Sequence, residues 1–126
     1  VLLYKNMLKK EFRLKNKKAF TATYRVKNSC CKGGITLFAG LSKKDETSPT
    51  RAGFVVSKKT HKRAVKRNRL KRLMRESYRL LLKSGDTGNS QNCMSLIFVG
   101  HEKALGKSFN EINEIIKYLV KGIKNV

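Results

Sequence analysis

The pattern of hydrophobic and polar positions along the chain predicts three strands. Between Ile35 and Leu41 every second residue is aliphatic, which is the period of a strand with one buried face. A second strand is predicted over Arg51–Ser57, after a turn at 45–50 that holds the chain's only proline, and we expect these two strands to pair as a hairpin. The apolar run Met94–Val99 predicts a third, buried strand.

Two helices are predicted before the last strand. A short helix is expected over Lys17–Tyr24, with Asn16 as its N-cap. A long helix is expected from about His61 to Lys83, with Thr60 as N-cap and Gly85 just beyond its end. The segment 84–92 that follows is polar and contains glycine, so it is predicted to be a loop.

A third helix closes the chain, and with it the fold class can be predicted. Ser108 and Glu111 have the spacing of a capping box. Apolar residues follow at helical intervals, at Ile112, Ile115, Ile116, Leu119, Val120 and Ile123. The order α-β-β-α-β-α, with room for a further short strand near 26–32, predicts an α+β fold. We expect a two-layer sandwich of helices on a small, mostly antiparallel sheet. Residues 1–126 are expected to form one domain, with 1–15 as a basic N-terminal arm.

Composition restricts the class of partner. The chain has 126 residues, 30 Lys and Arg against 8 Asp and Glu, and a net charge of +22. A small body with this charge repels itself, and a polyanion would relieve the repulsion: nucleic acid, an anionic membrane surface or an acidic protein. No apolar stretch approaches the roughly 18 residues that span a bilayer, and the start of the chain lacks the order of a signal peptide.

Three cysteines, Cys30, Cys31 and Cys93, show no CxxC spacing, so neither a disulfide framework nor a zinc site is predicted. Reduced thiols are expected, which indicates the cytoplasm. The eight acids are scattered, so no carboxylate pair for metal catalysis is predicted. His61 and His101 stand alone and are interpreted as surface or capping residues.

The long helix carries the charge on one side. Residues 58–83 hold twelve Lys and Arg and a single acid, Glu76. On a helical wheel, one side collects Leu70, Leu73, Met74, Ser77 and Leu81. The other side collects Asn68, Arg69, Lys71, Arg72, Arg75 and Arg79. A solvated surface is the simplest interpretation of a charged face, but like charges at i,i+4 destabilise the free helix. The uniform sign therefore favours a phosphate backbone as the partner.

The sequence around this helix is specific. Residues 58–59 read KK, 64–76 read AVKRNRLKRLMRE, the preceding 51–57 read RAGFVVS, and 12–20 read FRLKNKKAF. This pattern resembles the protein component of bacterial ribonuclease P from about Arg13 to Leu82. The resemblance implies a fold like domain 2 of ribosomal protein S5, with the basic helix in a β-α-β crossover. It also implies a subunit that binds a catalytic RNA and precursor tRNA and assists Mg²⁺-dependent removal of the 5′ leader, with no catalytic residue of its own.

The resemblance further implies two surfaces. The RNA-binding surface would comprise Lys58, Lys59, Arg63, Lys66, Arg67, Asn68, Arg69, Lys71, Arg72 and Arg75. The cleft for the single-stranded leader would comprise Arg13, Phe20, Tyr24, Thr36, Phe38 and Val55. No membrane and no small-molecule substrate is implied, and the metal would be held mainly by RNA and substrate.

Alternatives remain open at this point. The aromatic residues of the cleft can instead be plain core residues. Another structural RNA-binding protein, such as a ribosomal protein, would share the charge and the size. A DNA-binding regulator needs a helix-turn-helix and a dimer interface, which the neighbours of the basic helix do not offer. A membrane-surface helix would favour Trp or Phe along its apolar face, and the chain has no Trp.

Overall fold

Three helices and four strands make up the regular structure. The computed structural model describes residues 8–45 and 47–124. In chain order the elements are α1 (Lys17–Arg25), β1 (Asn28–Lys32), β2 (Ile35–Ala39), β3 (Arg51–Val55), α2 (Ala64–Ser84), β4 (Ser95–Gly100) and α3 (Phe109–Gly122). Short 3₁₀ turns occupy Lys10–Phe12, Gly88–Asn92 and Glu102–Ala104. No helix in the described ranges is long and apolar enough to cross a membrane.

The sheet has the order β1-β2-β4-β3. β1 with β2 and β2 with β4 are antiparallel, whereas β3 with β4 is parallel, so α2 lies in a β-α-β crossover. The predicted hairpin of the strands at 35–41 and 51–57 is therefore wrong. β4 separates them because five of its six residues are buried, which suits a central strand covered on both faces. Turn signals between β2 and β3 do not indicate which strands pair, because the loop that joins them is long enough to let β4 lie between them.

The hairpin that does form joins β1 to β2, which confirms the short strand expected near 26–32. Lys32 pairs with Ile35 across a two-residue turn. Gly33 and Gly34 have φ values of 59° and 89°, the left-handed conformation that such turns require and that glycine adopts without strain. A Cβ on Gly34 would also lie 2.6 Å from the backbone nitrogen of Ala104, so this turn has no room for a side chain.

The helix caps follow the sequence with one exception. Asn16 Oδ1 accepts a hydrogen bond from Lys18 N at 2.9 Å, and Ser108 with Glu111 forms the predicted capping box. Gly85 ends α2 with a φ of 78°. The N-cap predicted at Thr60 is wrong: α2 begins at Ala64, and Thr60 N donates instead to Ser57 O at 3.0 Å. That hydrogen bond closes a turn over residues 57–60, so these residues do not form the start of the helix.

The described part of the N-terminal arm packs against the rest of the protein. Residues 1–7 of the expected arm lie outside the described ranges. Leu8 is buried in the core, and Leu14 N donates to Ala52 O at 2.9 Å, so residues 8–14 are fastened along the outer edge of β3. Leu41, which the alternating pattern placed in the strand, follows the end of β2 and is exposed.

The main core lies between the sheet and the layer formed by α2 and α3. The largest completely buried side chain in it is Tyr78, which the helical wheel did not single out. Its ring centroid lies 5.4 Å from that of Phe98, and Phe98 stacks on Phe54 at 5.3 Å. The Tyr78 hydroxyl oxygen accepts a hydrogen bond from Gln91 Nε2 at 2.8 Å, which satisfies its polar end.

Tyr78 makes the fold sensitive to alkali. Burial raises the pKa of Tyr78 to about 12, from an ordinary value of 10.0. Because the unfolded chain releases this proton first, the contribution to stability is intact below pH 10 and is lost as pH rises through 12. Between these pH values we expect the free energy of unfolding, measured with urea, to fall more steeply with pH for the wild type than for Tyr78→Phe. The difference in slope should be at most about 1.4 kcal/mol per pH unit. Identical slopes for the two proteins would contradict this assignment.

Candidate nucleic-acid interface

The outer face of α2 presents the predicted cations to solvent. Val65, Asn68 and Arg72 are exposed, and together with the half-buried Lys71 and Arg75 they line a shallow depression of about 400 Å³. The opposite face of the helix is fixed in the core by Leu70, Met74, Ser77, Tyr78 and Leu81. This one-sided burial holds the charged face rigid, as a docking surface requires.

None of the nine cations predicted for RNA binding is paired with a carboxylate among the described residues. The one acid of this segment, Glu76, is bound by Arg79 at 2.6 Å, outside the predicted set. The charge of the predicted face is therefore available to an external anion.

Two arginines of the face also hold the protein's own backbone. Arg67 Nη1 donates to the carbonyl oxygens of His61 and Lys62 at 2.7 and 2.8 Å, and Arg69 Nη2 donates to Lys107 O at 3.2 Å. Arg67 thus secures the turn that leads into α2, and Arg69 connects α2 with the segment before α3. These two residues have a structural role as well as a charge.

Lys58 and Lys59 lie in the turn directly after β3, and Arg63 and Lys66 lie at the start of α2. All four side chains are exposed. The structure therefore brings the predicted RNA-binding residues together as one continuous surface, which extends from the end of β3 along the outer side of α2.

α1 packs on the other face of the sheet and leaves a strip of that face open, here called the groove. The strand register aligns Cys31, Thr36, Val99 and Val55 in one row across β1, β2, β4 and β3. The last three are half-buried and Cys31 is exposed, so α1 does not cover this row. The row forms the floor of the groove.

Aromatic side chains form the wall of the groove where α1 crosses the sheet. Phe20 packs so closely on Gly53 that a Cβ at this position would collide with its ring. One helical turn later, the Tyr24 ring meets Phe38 edge-on, with centroids 5.0 Å apart. Partial burial raises the pKa of the Tyr24 hydroxyl. Phe20 and Phe38 are half-buried and Tyr24 is exposed, so each ring keeps part of its surface accessible.

Five of the six residues predicted for the cleft are thus brought together, and Arg13 is not. Its backbone bridges to Ala52, a residue on the core face of β3, so the Arg13 side chain lies on the α2 side of the sheet. The prediction missed this because the side of the sheet depends on how residues 8–14 pair with β3, which their own sequence does not indicate.

Sequence analysis also missed two residues of the groove. Val99 lies on the groove floor because the register of β4 pairs it with Thr36 of β2 and Val55 of β3. His101, at the end of β4, places Nε2 2.9 Å from Thr36 Oγ1. A lone histidine carries no sequence signal for such a contact, which needs the neighbouring strand to be known.

Metal ligands are not assembled in the described ranges. No group of three His, Cys, Asp or Glu side chains is placed there to hold a metal ion. The Asp86 carboxylate binds Lys121 and Lys117 at 2.8 and 3.3 Å, and their hydrogen bonds and charges lower its pKa. The Glu111 carboxylate accepts from Ser108, which lowers its pKa.

Solved structures share the fold. The ribonuclease P protein from Thermotoga maritima matches with a TM-score of 0.73 and 22% identity, over 90% of this chain and 98% of that one. The ribonuclease P protein from Staphylococcus aureus matches with a TM-score of 0.69 and 24% identity, over 89% of this chain and 94% of that one. These likenesses confirm the α+β architecture predicted from the sequence.

Sequence comparisons identify the family. The model of the family described as Ribonuclease P matches residues 8–124. The ribonuclease P protein component of Clostridium kluyveri is 36% identical over 110 residues, 87% of this chain and 92% of the relative. That of an Exiguobacterium species is 34% identical over 117 residues, 93% of this chain and 94% of the relative. These matches separate the ribonuclease P protein from the other RNA-binding classes that the sequence left open. The chain belongs to the ribonuclease P protein family, the protein component of a ribonucleoprotein endoribonuclease.

Proposed function

We propose that this chain binds the catalytic RNA of ribonuclease P through α2 and the preceding turn, and holds the 5′ leader of precursor tRNA in the groove beside α1. One observation carries the proposal: the chain leads from the groove directly into the basic surface. Val55, in the groove floor, ends β3, and the exposed Lys58 and Lys59 follow within one turn. A single strand in the groove would therefore lead directly to the surface that receives the folded RNA.

The chemistry of each surface suits its ligand. Unpaired cations on a rigid helix neutralise phosphates and release counterions, which drives binding of a structured RNA. Phe20, Tyr24 and Phe38 offer partly exposed ring faces, on which bases stack with little regard to sequence. A subunit that serves many precursors needs such tolerance.

The proposal leaves hydrolysis to the RNA. The described residues bring no metal-ligand set together, so Mg²⁺ is assigned to the RNA subunit and the substrate, and no residue of this chain is given a catalytic role. Cys30 and Cys31 are free thiols, which suits action in the reducing cytoplasm. The proposed partners are nucleic acids, with neither a membrane nor a small-molecule substrate.

Reconstitution tests the proposal. The chain is mixed with a bacterial ribonuclease P RNA and a precursor tRNA, and cleavage is followed at a Mg²⁺ concentration at which the RNA alone is slow. We expect faster cleavage at the mature 5′ end, and a larger effect for a precursor with a leader than for one shortened to a single leader nucleotide. Equal rates with and without the protein would refute the function.

Cys31 offers a direct test of the groove, because it is exposed on the groove floor while Cys30 is half-buried and Cys93 buried. Burial raises the pKa of both Cys30 and Cys93, so Cys31 is the thiol that reacts first. A photo-crosslinker attached to Cys31 should join the protein to leader nucleotides within the holoenzyme. The Cys31→Ser variant, treated with the same crosslinking reagent, is the control. Crosslinks confined to the RNA subunit would argue against leader binding here.

Arg72→Ala is expected to weaken binding of the RNA subunit without affecting the fold. Arg72 is exposed and contributes no described hydrogen bond or ion pair. Each lost phosphate contact should lower the slope of log affinity against log salt by about one unit. Stability in urea should change by less than about 0.5 kcal/mol. Lys44→Ala removes the same charge from the loop before β3 and should leave the slope unchanged. An equal drop in slope for Lys44→Ala would mean that the net charge of the protein, and not a contact of Arg72, explains the effect.

A further inference from the structure

A second recess lies on the same face of the sheet as the groove, on the other side of α1. Gly53, on which the Phe20 ring of α1 packs, marks the row of the sheet that α1 covers. Val55, in the groove floor, lies two residues after Gly53, and Arg51, paired with Ser95, lies two residues before it, on the same face. The second recess, here called the pocket, is lined in part by Arg51 and Ser95 and has a volume of about 540 Å³.

The wall of the pocket is mainly aliphatic. Leu41 and Met94 are 56% and 52% exposed, and Met94 N donates a hydrogen bond to Leu41 O at 2.8 Å, so these two residues are adjacent. α1 contributes small side chains, which leave the space beside the helix open. The aliphatic lining includes Ala19, Ala22, Val26, Leu41, Pro49 and Met94. Such a surface gains free energy when an apolar ligand removes it from water.

The floor of the pocket is poorly suited to a nucleotide. Thr23 and Ser95 are buried there, and their hydroxyl oxygens share a hydrogen bond of 2.5 Å. Thr23 Oγ1 also donates to Ala19 O at 2.8 Å. The described residues of the lining include no aromatic ring on which a base could stack. An aliphatic ligand therefore suits this pocket better than a base does.

Cations lie at the mouth of the pocket. They are Lys43 and Lys44 in the loop before β3 and Arg51 at the start of that strand, and none of them has an ion pair within the described ranges. The described lining also includes the acid Asp45, which accepts hydrogen bonds from Thr47 N and Oγ1 at 3.0 and 2.7 Å. Apolar walls with a few charged groups are typical of small-molecule sites, and here the excess of cations favours an anion.

We propose that the pocket binds a small carboxylic acid with an aliphatic chain, with the chain against Leu41 and Met94 and the carboxylate near Lys44 and Arg51. The volume lies within the range of about 300–1,000 Å³ that is usual for such ligands. A second copy of the chain is unsuited as occupant, because each copy carries a net charge of +22. The inference goes beyond the proposed function, since α1 separates the pocket from the groove.

Titration of the full chain with octanoate tests the site, and the NMR signal of the Met94 methyl group reports on it. We expect a saturable shift of this signal. Butanoate has the same charge and four fewer methylene groups, so it should bind at least about tenfold more weakly. Octanamide keeps the chain without the charge and should bind about fivefold more weakly. Equal affinities for octanoate and either of these compounds would overturn the proposal.

Blocking the pocket shows whether octanoate binds there. Ala22→Phe fills the pocket from the exposed side of α1, and we expect it to weaken octanoate binding, measured by calorimetry, by at least about tenfold. Leu80→Gln is the control, because it removes a 37% exposed leucine from α2 and should keep the wild-type affinity. If Ala22→Phe does not fold, Met94→Gln takes its place. Wild-type affinity in the blocked variant, or an equal loss in Leu80→Gln, would overturn the site.

The charge at the mouth of the pocket is tested separately. Lys44→Gln/Arg51→Gln should weaken binding of octanoate about fivefold and leave binding of octanamide unchanged. Lys83→Gln/Lys103→Gln removes equal charge from exposed positions outside the pocket and should keep the affinity for octanoate within about twofold. Equal losses in the two double variants would mean that net charge alone attracts octanoate, and would overturn the proposal.

Discussion

Phe98→Ala is expected to destabilise the protein by about 3–5 kcal/mol, the cost of removing a buried aromatic side chain. Phe98 is completely buried on the central strand β4 and contacts the rings of Phe54 and Tyr78, at centroid distances of 5.3 and 5.4 Å. The cavity would open where the sheet meets α2. Since domains of this size are stable by about 5–15 kcal/mol, the variant should lose a large part of its folding free energy.

Urea unfolding at neutral pH measures this loss. Leu41→Ala is the matched control, because Leu41 is 56% exposed and its truncation should cost less than about 0.5 kcal/mol. A loss below about 1 kcal/mol for Phe98→Ala would mean that the aromatic cluster is not the centre of the core.

Phe20→Ala is expected to weaken binding of leader-bearing precursor tRNA to the holoenzyme by about 5- to 150-fold, the range of one lost base-stacking contact. The affinity for mature tRNA should hardly change, because mature tRNA has no leader to stack on the ring. The comparison of the two ligands separates a groove contact from a general loss of binding. Folding of the variant is checked by circular dichroism, since the Phe20 ring also packs on Gly53.

Tyr118→Ala provides the control for this prediction. Tyr118 is 54% exposed on α3, where its ring contacts Lys32 and lies on the other side of the sheet from α1. Its loss should affect neither ligand. Equal losses for precursor and mature tRNA with Phe20→Ala would argue that the groove does not hold the leader.

Local features of the fold could be predicted from the sequence because they depend on neighbouring residues. The Asn16 cap, the Ser108–Glu111 capping box and the end of α2 at Gly85 all follow from backbone groups that a nearby side chain or a left-handed glycine satisfies. Strand order does not depend on neighbours in this way. The pairing of Val55 with Val99 joins residues far apart in sequence, and alternation alone cannot select it.

The same distinction explains the candidate site. The basic face of α2 and the exposed sides of Thr36 and Phe38 follow from helical and strand periods. Val99 and His101 in the groove, and the position of Arg13 on the opposite face, depend on register and on the path of a segment without regular structure. The binding roles of all these residues remain the predictions made above.

The central position of β4 also determines when the chain can fold during synthesis. The hairpin of β1 and β2 can close as soon as both strands leave the ribosome, but β3 has no neighbouring strand until β4 emerges. Until residue 100 has been made, β3 and the apolar side of α2 lack the strand against which they pack in the folded protein. A nascent chain halted before that residue would expose an unpaired strand edge beside a basic helix, which is a target for chaperones and proteases.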